Sequence, residues 1–201
     1  MNPAPDLAAA VGRADETVRF SPALAGATLV GALGGLLFGF DTAVISGCQD
    51  QLRSLLSLTP GEQGFMTASA LNGASVGSLA AAKHGDVFGR RDCLKWTAAF
   101  YLLCALGCAF ANSLWMIVAA RILGGLAVGA SSVLGPMYLA EIAPASWRGR
   151  LVACFQVNIV LGVLVAYFSN YLIGTFDLGH TEWRWKLGVQ AVPAAAFLIT
   201  L

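Results

Sequence analysis

Six apolar runs, at about 22–47, 63–82, 93–111, 114–140, 151–173 and 185–201, divide this chain, and each is close to the ~20 residues that a helix needs to cross a bilayer. Charges are too few for a water-facing surface: Asp, Glu, Lys and Arg make up 11% of the residues, against about 25% in a soluble domain. Hydrocarbon offers the backbone no hydrogen bonds, so runs of this length read as helices. The expectation is an all-α membrane protein. Residues 1–21, with Asp6, Arg13, Asp15, Glu16 and Arg19, read as a cytoplasmic tail, and 22–201 as one transmembrane helix bundle. The sixth run stops at Leu201 without a charged flank, so the sequence reads as truncated.

The same residues exclude several classes of function. A net charge of +1 provides no basic surface for nucleic acid, and there is no glycine loop of the phosphate-cradling kind. No zinc-type Cys/His cluster appears, no nucleophile–base pair lies in the helices, and no metal or cofactor is expected. The five cysteines, Cys48, Cys93, Cys104, Cys108 and Cys154, are scattered through apolar runs and form no disulfide framework.

Orientation follows from the basic residues, which favour the cytoplasmic side of short loops. With the amino terminus inside, Arg13, Arg19, Lys83, Arg90, Arg91, Lys95, Arg148 and Arg150 are cytoplasmic, against Arg53, Arg184 and Lys186 outside. Small residues recur four apart at Gly31, Gly35 and Gly39, at Gly73 and Gly77, and at Gly125 and Gly129. That spacing brings helix backbones close where lipid gives helices no hydrophobic reason to associate.

Two charges lie well inside apolar runs, Asp41 in LLFGFDTAVISG and Arg121 in VAARILGGLAVG. A charge there costs ~2.5–3.5 kcal/mol on insertion scales, so it needs a partner or a water-filled cavity. The first helix runs outward and the fourth inward, which puts Asp41 and Arg121 both ~9 Å from the outer edge, at matching depth. The pair is either a structural tie or a site where a carboxyl takes up and releases a proton as its arginine contact changes. Gln156, in ACFQVNIVLG, needs a partner at its depth and is either an interhelical tie or a match for adjacent sugar hydroxyls. Phe38, one turn before Asp41, is either packing or an apolar wall against a sugar ring. GDVFGRRD carries Asp86, Arg90, Arg91 and Asp92, and EIAPASWRGR carries Glu141, Arg148 and Arg150. These loops share one membrane face, as positive anchors or as a salt-bridge network.

From about residue 25 onward the sequence resembles the sugar porter family of the major facilitator superfamily, including its bacterial, xylose-symporter-like proton and sugar symporters. GGLLFGFDTAVISG, DVFGRRD, RILGGLAVG, PMYLAEIAPASWRGRL, FQVNIVLGVLVAYFSNY and WRWKLGVQAVPA follow in the family's order. The resemblance implies an amino-terminal half made of two inverted three-helix repeats, facing a missing carboxyl-terminal half, that carries a pentose or hexose by proton symport with alternating access in the cell membrane. It implies Asp41 as the proton-coupling carboxylate with Arg121 as its partner, Gln156 and Phe38 as sugar contacts, and a cytoplasmic gate of Asp86, Arg90, Arg91, Glu141 and Arg148. Its partners would be a monosaccharide, the proton, the bilayer and the second half. A passive sugar facilitator and a non-transporting half that only assembles with another protein are the alternatives. The loop motif departs from the family at its start, where Ala82, Lys83 and His84 replace the usual glycine turn.

Overall fold

The computed structural model describes residues 22–176 and 178–201, so the tail expected over 1–21 lies outside the described residues. The first span, α1 (Pro22–Val44), passes through a 3-10 turn at Ile45–Gly47 into a short amphipathic helix, α2 (Gln49–Leu56). The second, α3 (Pro60–Phe88), opens on a capping box in which Thr59 accepts from the Glu62 N–H while the Glu62 carboxylate accepts from the Thr59 N–H at 2.9 Å. That backbone donor holds the Glu62 carboxyl below its usual range. Gly89 alone joins α3 to α4 (Arg90–Ala109), at φ +86, a conformation that residues with a Cβ rarely adopt. The fourth and fifth spans are α5 (Leu114–Ile142), which contains Pro136, and α6 (Arg148–Gly174). Four helical segments, Thr28–Gly47, Arg90–Ala109, Leu114–Ile142 and Arg148–Gly174, are long and apolar enough to cross a membrane by length and composition.

The sixth run differs from the expected single helix. It begins earlier, as α7 (Glu182–Gly188), and breaks before α8 (Ala191–Thr200). Pro193 has no N–H to donate to the Val189 carbonyl, which instead accepts from the Val192 N–H at 3.1 Å. The first run likewise ends its α-helix three residues early. The Val44 carbonyl accepts from Asn170 Nδ2 at 3.1 Å and the Gly47 carbonyl from Lys186 Nζ at 3.0 Å, so side chains of α6 and α7 hold the end of the first span.

Packing follows the glycines. A Cβ at Gly39 would strike the Ile159 carbonyl of α6, and one at Gly162 the Leu36 carbonyl of α1; Gly73 and Gly77 lie as close to α5 as Gly125 and Gly129 lie to α3. The two close pairs are therefore α1 with α6 and α3 with α5. Exchanging the first three spans for the last three carries α1–α6 onto α5–α3, α4–α5 onto α8–α1, and α3–α4 onto α6–α7, and leaves α1–α5 and α4–α8 unchanged. Three spans reverse the chain's direction, so this exchange relates two inverted repeats. Asp41 and Arg121 sit on α1 and α5, the pair at the centre of that pseudo-symmetry.

Candidate functional site

Asp41 lies in the last turn of α1 with 1% of its surface exposed, and Arg121 on α5 with 3%. Arg121 Nη1 donates to Asp41 Oδ1 and to the Asp41 carbonyl, both at 3.2 Å. A second strong donor comes from the break in the sixth span. Gln190 Nε2, on a residue 1% exposed, reaches the same Oδ1 at 2.9 Å. From α4, the Cys104 thiol points at that oxygen at 3.9 Å. Gly124 makes room for the cluster: a Cβ there would press on Cys104 Sγ and stand 3.3 Å from Asp41 Oδ1. One carboxylate thus receives donors from three other spans, in a core where an unpaired charge is costly. The guanidinium is only partly used, since Arg121 Nε is buried and has no partner among the described residues. Below it, Tyr101 and Ser131, both fully buried, are hydrogen-bonded to each other at 2.8 Å.

The other expected contacts are not gathered here. Phe38 is half-buried and packs with the apolar cluster that contains Leu94, Tyr101 and Phe197. Gln156 is exposed on α6 and makes no hydrogen bond among the described residues. It lies on a face this chain leaves open, which is why the partner its depth demanded is absent.

At the Gly89 end the charged network centres on one residue. Arg90 Nη2 meets Asp86 Oδ1 at 2.6 Å and Arg90 Nε meets Glu141 Oε1 at 3.0 Å, tying α4 to α3 and α5. Arg91 turns away and donates to the Leu201 carbonyl at 2.6 Å, while Arg148 is exposed with no partner among the described residues. Ala82 is exposed, and the close approach expected of its position is made by Gly85, where a Cβ would crowd Arg90 Nη1 and Leu134.

Gln190 and Asn170 are polar residues that sequence reasoning passed over, and Lys186 entered it only as a basic residue on the outer side. Gln190 carried the signal that singled out Gln156, an amide inside an apolar run.

A helical membrane bundle of two inverted repeats, with a buried carboxylate–arginine pair between its first and fourth spans, defines a transporter half of the major facilitator kind rather than an enzyme. The family model described as "Sugar (and other) transporter" matches residues 27–201, and the chain belongs to that family. It is 43% identical over 169 residues to a D-xylose transporter of Levilactobacillus brevis, covering 84% of this chain and 36% of that protein. It is 37% identical over 204 residues to the D-xylose-proton symporter of Escherichia coli strain K12, covering 87% of this chain and 42% of that one. Among solved structures, the partially occluded inward-open conformation of the xylose transporter XylE from E. coli superposes with a TM-score of 0.82 at 35% identity, over 88% of this chain and 48% of that one. The chain therefore spans less than half the length of these relatives.

Proposed function

We propose that this chain forms the first six-span half of a proton–monosaccharide symporter and works against a second half across the face that bears Gln156. The observation that carries this reading is the convergence of Arg121, Gln190 and Cys104 on one oxygen of Asp41. A structural tie needs only a charge and its partner. Donors from several spans make the carboxylate's charge felt by all of them at once, so adding a proton changes which arrangement of spans is favoured. Relatives named as a D-xylose-proton symporter, an arabinose-proton symporter and a glucose transporter support the assignment of the substrate to pentoses or hexoses, and the first two that of the coupling ion to the proton. Gln156 and Phe38 would line the sugar side, and Asp86, Arg90 and Glu141 would latch the cytoplasmic end, with Arg91 and Arg148 joining that network in other conformations. The amino terminus is cytoplasmic and the membrane is the cell membrane.

The test is Asp41→Asn in the assembled transporter, reconstituted in proteoliposomes. Asn fills the same space and still accepts from Gln190 but does not titrate. Uphill uptake driven by a pH gradient should vanish while sugar counterflow continues. Accumulation at the wild-type level would remove Asp41 from the coupling step, and a protein that never accumulated sugar against its gradient would be the facilitator instead.

A further inference from the structure

The exchange that carries one three-span repeat onto the other also relates the two ends of the bundle. At the Gly89 end three side chains meet: Arg90 from the first turn of the third span, Glu141 from the last turn of the fourth, and Asp86 from the last turn of the second. The exchange sends these spans to the sixth, the first and the fifth, and it inverts them, so the counterpart belongs at the opposite end. The same arrangement recurs there. Lys186, on α7 at the start of the sixth span, donates to the Gly47 carbonyl where the first span ends, and Asn170, near the end of α6, donates to the Val44 carbonyl of that same end. The acceptors are backbone here because the α-helix of the first span stops at Val44 and leaves its last carbonyls without intrahelical donors. Gly47 lets Asn170 come this close, since a Cβ there would strike Asn170 Nδ2. Lys186 is 8% exposed, and its ammonium also pairs with Glu182 Oε1 on its own helix, so the charge held against α1 is compensated.

We propose that Lys186 is the pivot of an outer latch, the inverted counterpart of the cytoplasmic one, which holds the end of the first span while the outer side is closed and releases it when that side opens. This rests on the transporter reading above, with its cytoplasmic latch and its orientation. Lys186 is a positioning residue: it acts through the Gly47 carbonyl and touches neither sugar nor the coupling carboxylate. The two latches differ in their distance from the buried pair. Glu141 lies ~30 Å of helix beyond Arg121, whereas Gly47 follows Asp41 within two turns, and Gln190, on the same stretch of chain as Lys186, contacts Asp41 itself. The start of the sixth span thus holds both the carboxylate and the helix end beyond it. The inversion also sets the sign of the effect. A contact kept in every state shifts no population, while one made only with the outer side closed favours the outward-open state when it is lost. Lys186→Met and Arg90→Ala should therefore act in opposite directions.

The assembled transporter is tested with one cysteine placed in the outer half of its central cavity or, in a parallel protein, in the cytoplasmic half. Maleimide labelling of that cysteine is read by mass spectrometry of its peptide and normalised to folded protein. Lys186→Met should raise the ratio of outer to cytoplasmic labelling about tenfold, the shift expected when one hydrogen bond to a charged group is lost from a single state. Asn170→Leu should move the ratio the same way, and Lys186→Arg, which still donates to the carbonyl, should return it towards wild type. Arg90→Ala, measured alongside, should lower it. An unchanged ratio in Lys186→Met beside a lowered one in Arg90→Ala would overturn the outer latch and leave the cytoplasmic latch standing. Unchanged ratios in both would remove both latches. Loss of folded protein in both Lys186→Met and Asn170→Leu would make these contacts a structural tie and equally overturn the proposal.

Discussion

Removing Asp41 and Arg121 separately and together measures what the buried pair contributes. The single Nη1–Oδ1 contact at 3.2 Å is worth ~5 kcal/mol of attraction at an effective dielectric of ~20, and drying each ion costs several kcal/mol in return. The intact pair is therefore near neutral in net stability. Deleting one partner is different, because the other stays buried and charged, at a cost of ~3–5 kcal/mol. Arg121→Met should fall at the upper end, since Asp41 then keeps only Gln190 and the weak thiol donor of Cys104. Asp41→Asn should fall at the lower end, because the amide oxygen still accepts from Gln190. The double variant removes both charges, so its loss should be smaller than the sum of the two by at least ~2 kcal/mol. Unfolding each purified protein in a detergent titration, followed by helical circular dichroism, gives the four values. Additivity within ~0.5 kcal/mol would show that the ions do not depend on each other and would sink the reasoning. Transport separates the functions of the pair from its stability: no member of the set except wild type should accumulate sugar, whatever its fold.

Gln190→Leu removes a hydrogen bond to a buried charged group, worth ~1.5–3 kcal/mol, and should slow uphill uptake tenfold or more while Gln190→Asn restores part of it; equal rates for the Leu variant and wild type would separate Gln190 from the cycle. Arg90→Ala and Glu141→Ala should each raise the labelling of cysteines placed in the cytoplasmic cavity, and unchanged labelling in both variants would remove the Arg90–Glu141 contact as a latch. Gly39→Leu should sharply reduce the yield of folded protein, whereas Gly26→Leu, which meets open space, should not; comparable yields would remove the close α1–α6 approach as a determinant of folding. For topology, Cys48 is wholly buried and makes a poor reporter, but Ser54→Cys on the exposed face of α2 should react with an impermeant maleimide on intact cells.

What could be read from the sequence tracks the cost of leaving a group unpaired. Arg121 was matched to Asp41 across 80 residues because two charges in hydrocarbon each demand a partner, and helix rise converts sequence position into depth. Gln190 contacts the same oxygen across 149 residues, but an amide makes a weaker demand, and its direction around the helix depends on a break that one proline sets. Gln156 shows the limit from the other side: its depth was legible and its azimuth was not, so the amide faces outward. The loop arginines were least legible of all. Near water a guanidinium need not be paired, and among five acids and arginines of equal sequence prominence only Asp86, Arg90 and Glu141 meet, while Arg91 finds a backbone carbonyl and Arg148 finds no partner among the described residues. The glycine ladders behave like the charges. A missing Cβ under the Ile159 carbonyl leaves no alternative residue, so spacing alone marked the close-packing faces, while which helix each face meets is visible only in the structure, where α1 meets α6 and α3 meets α5.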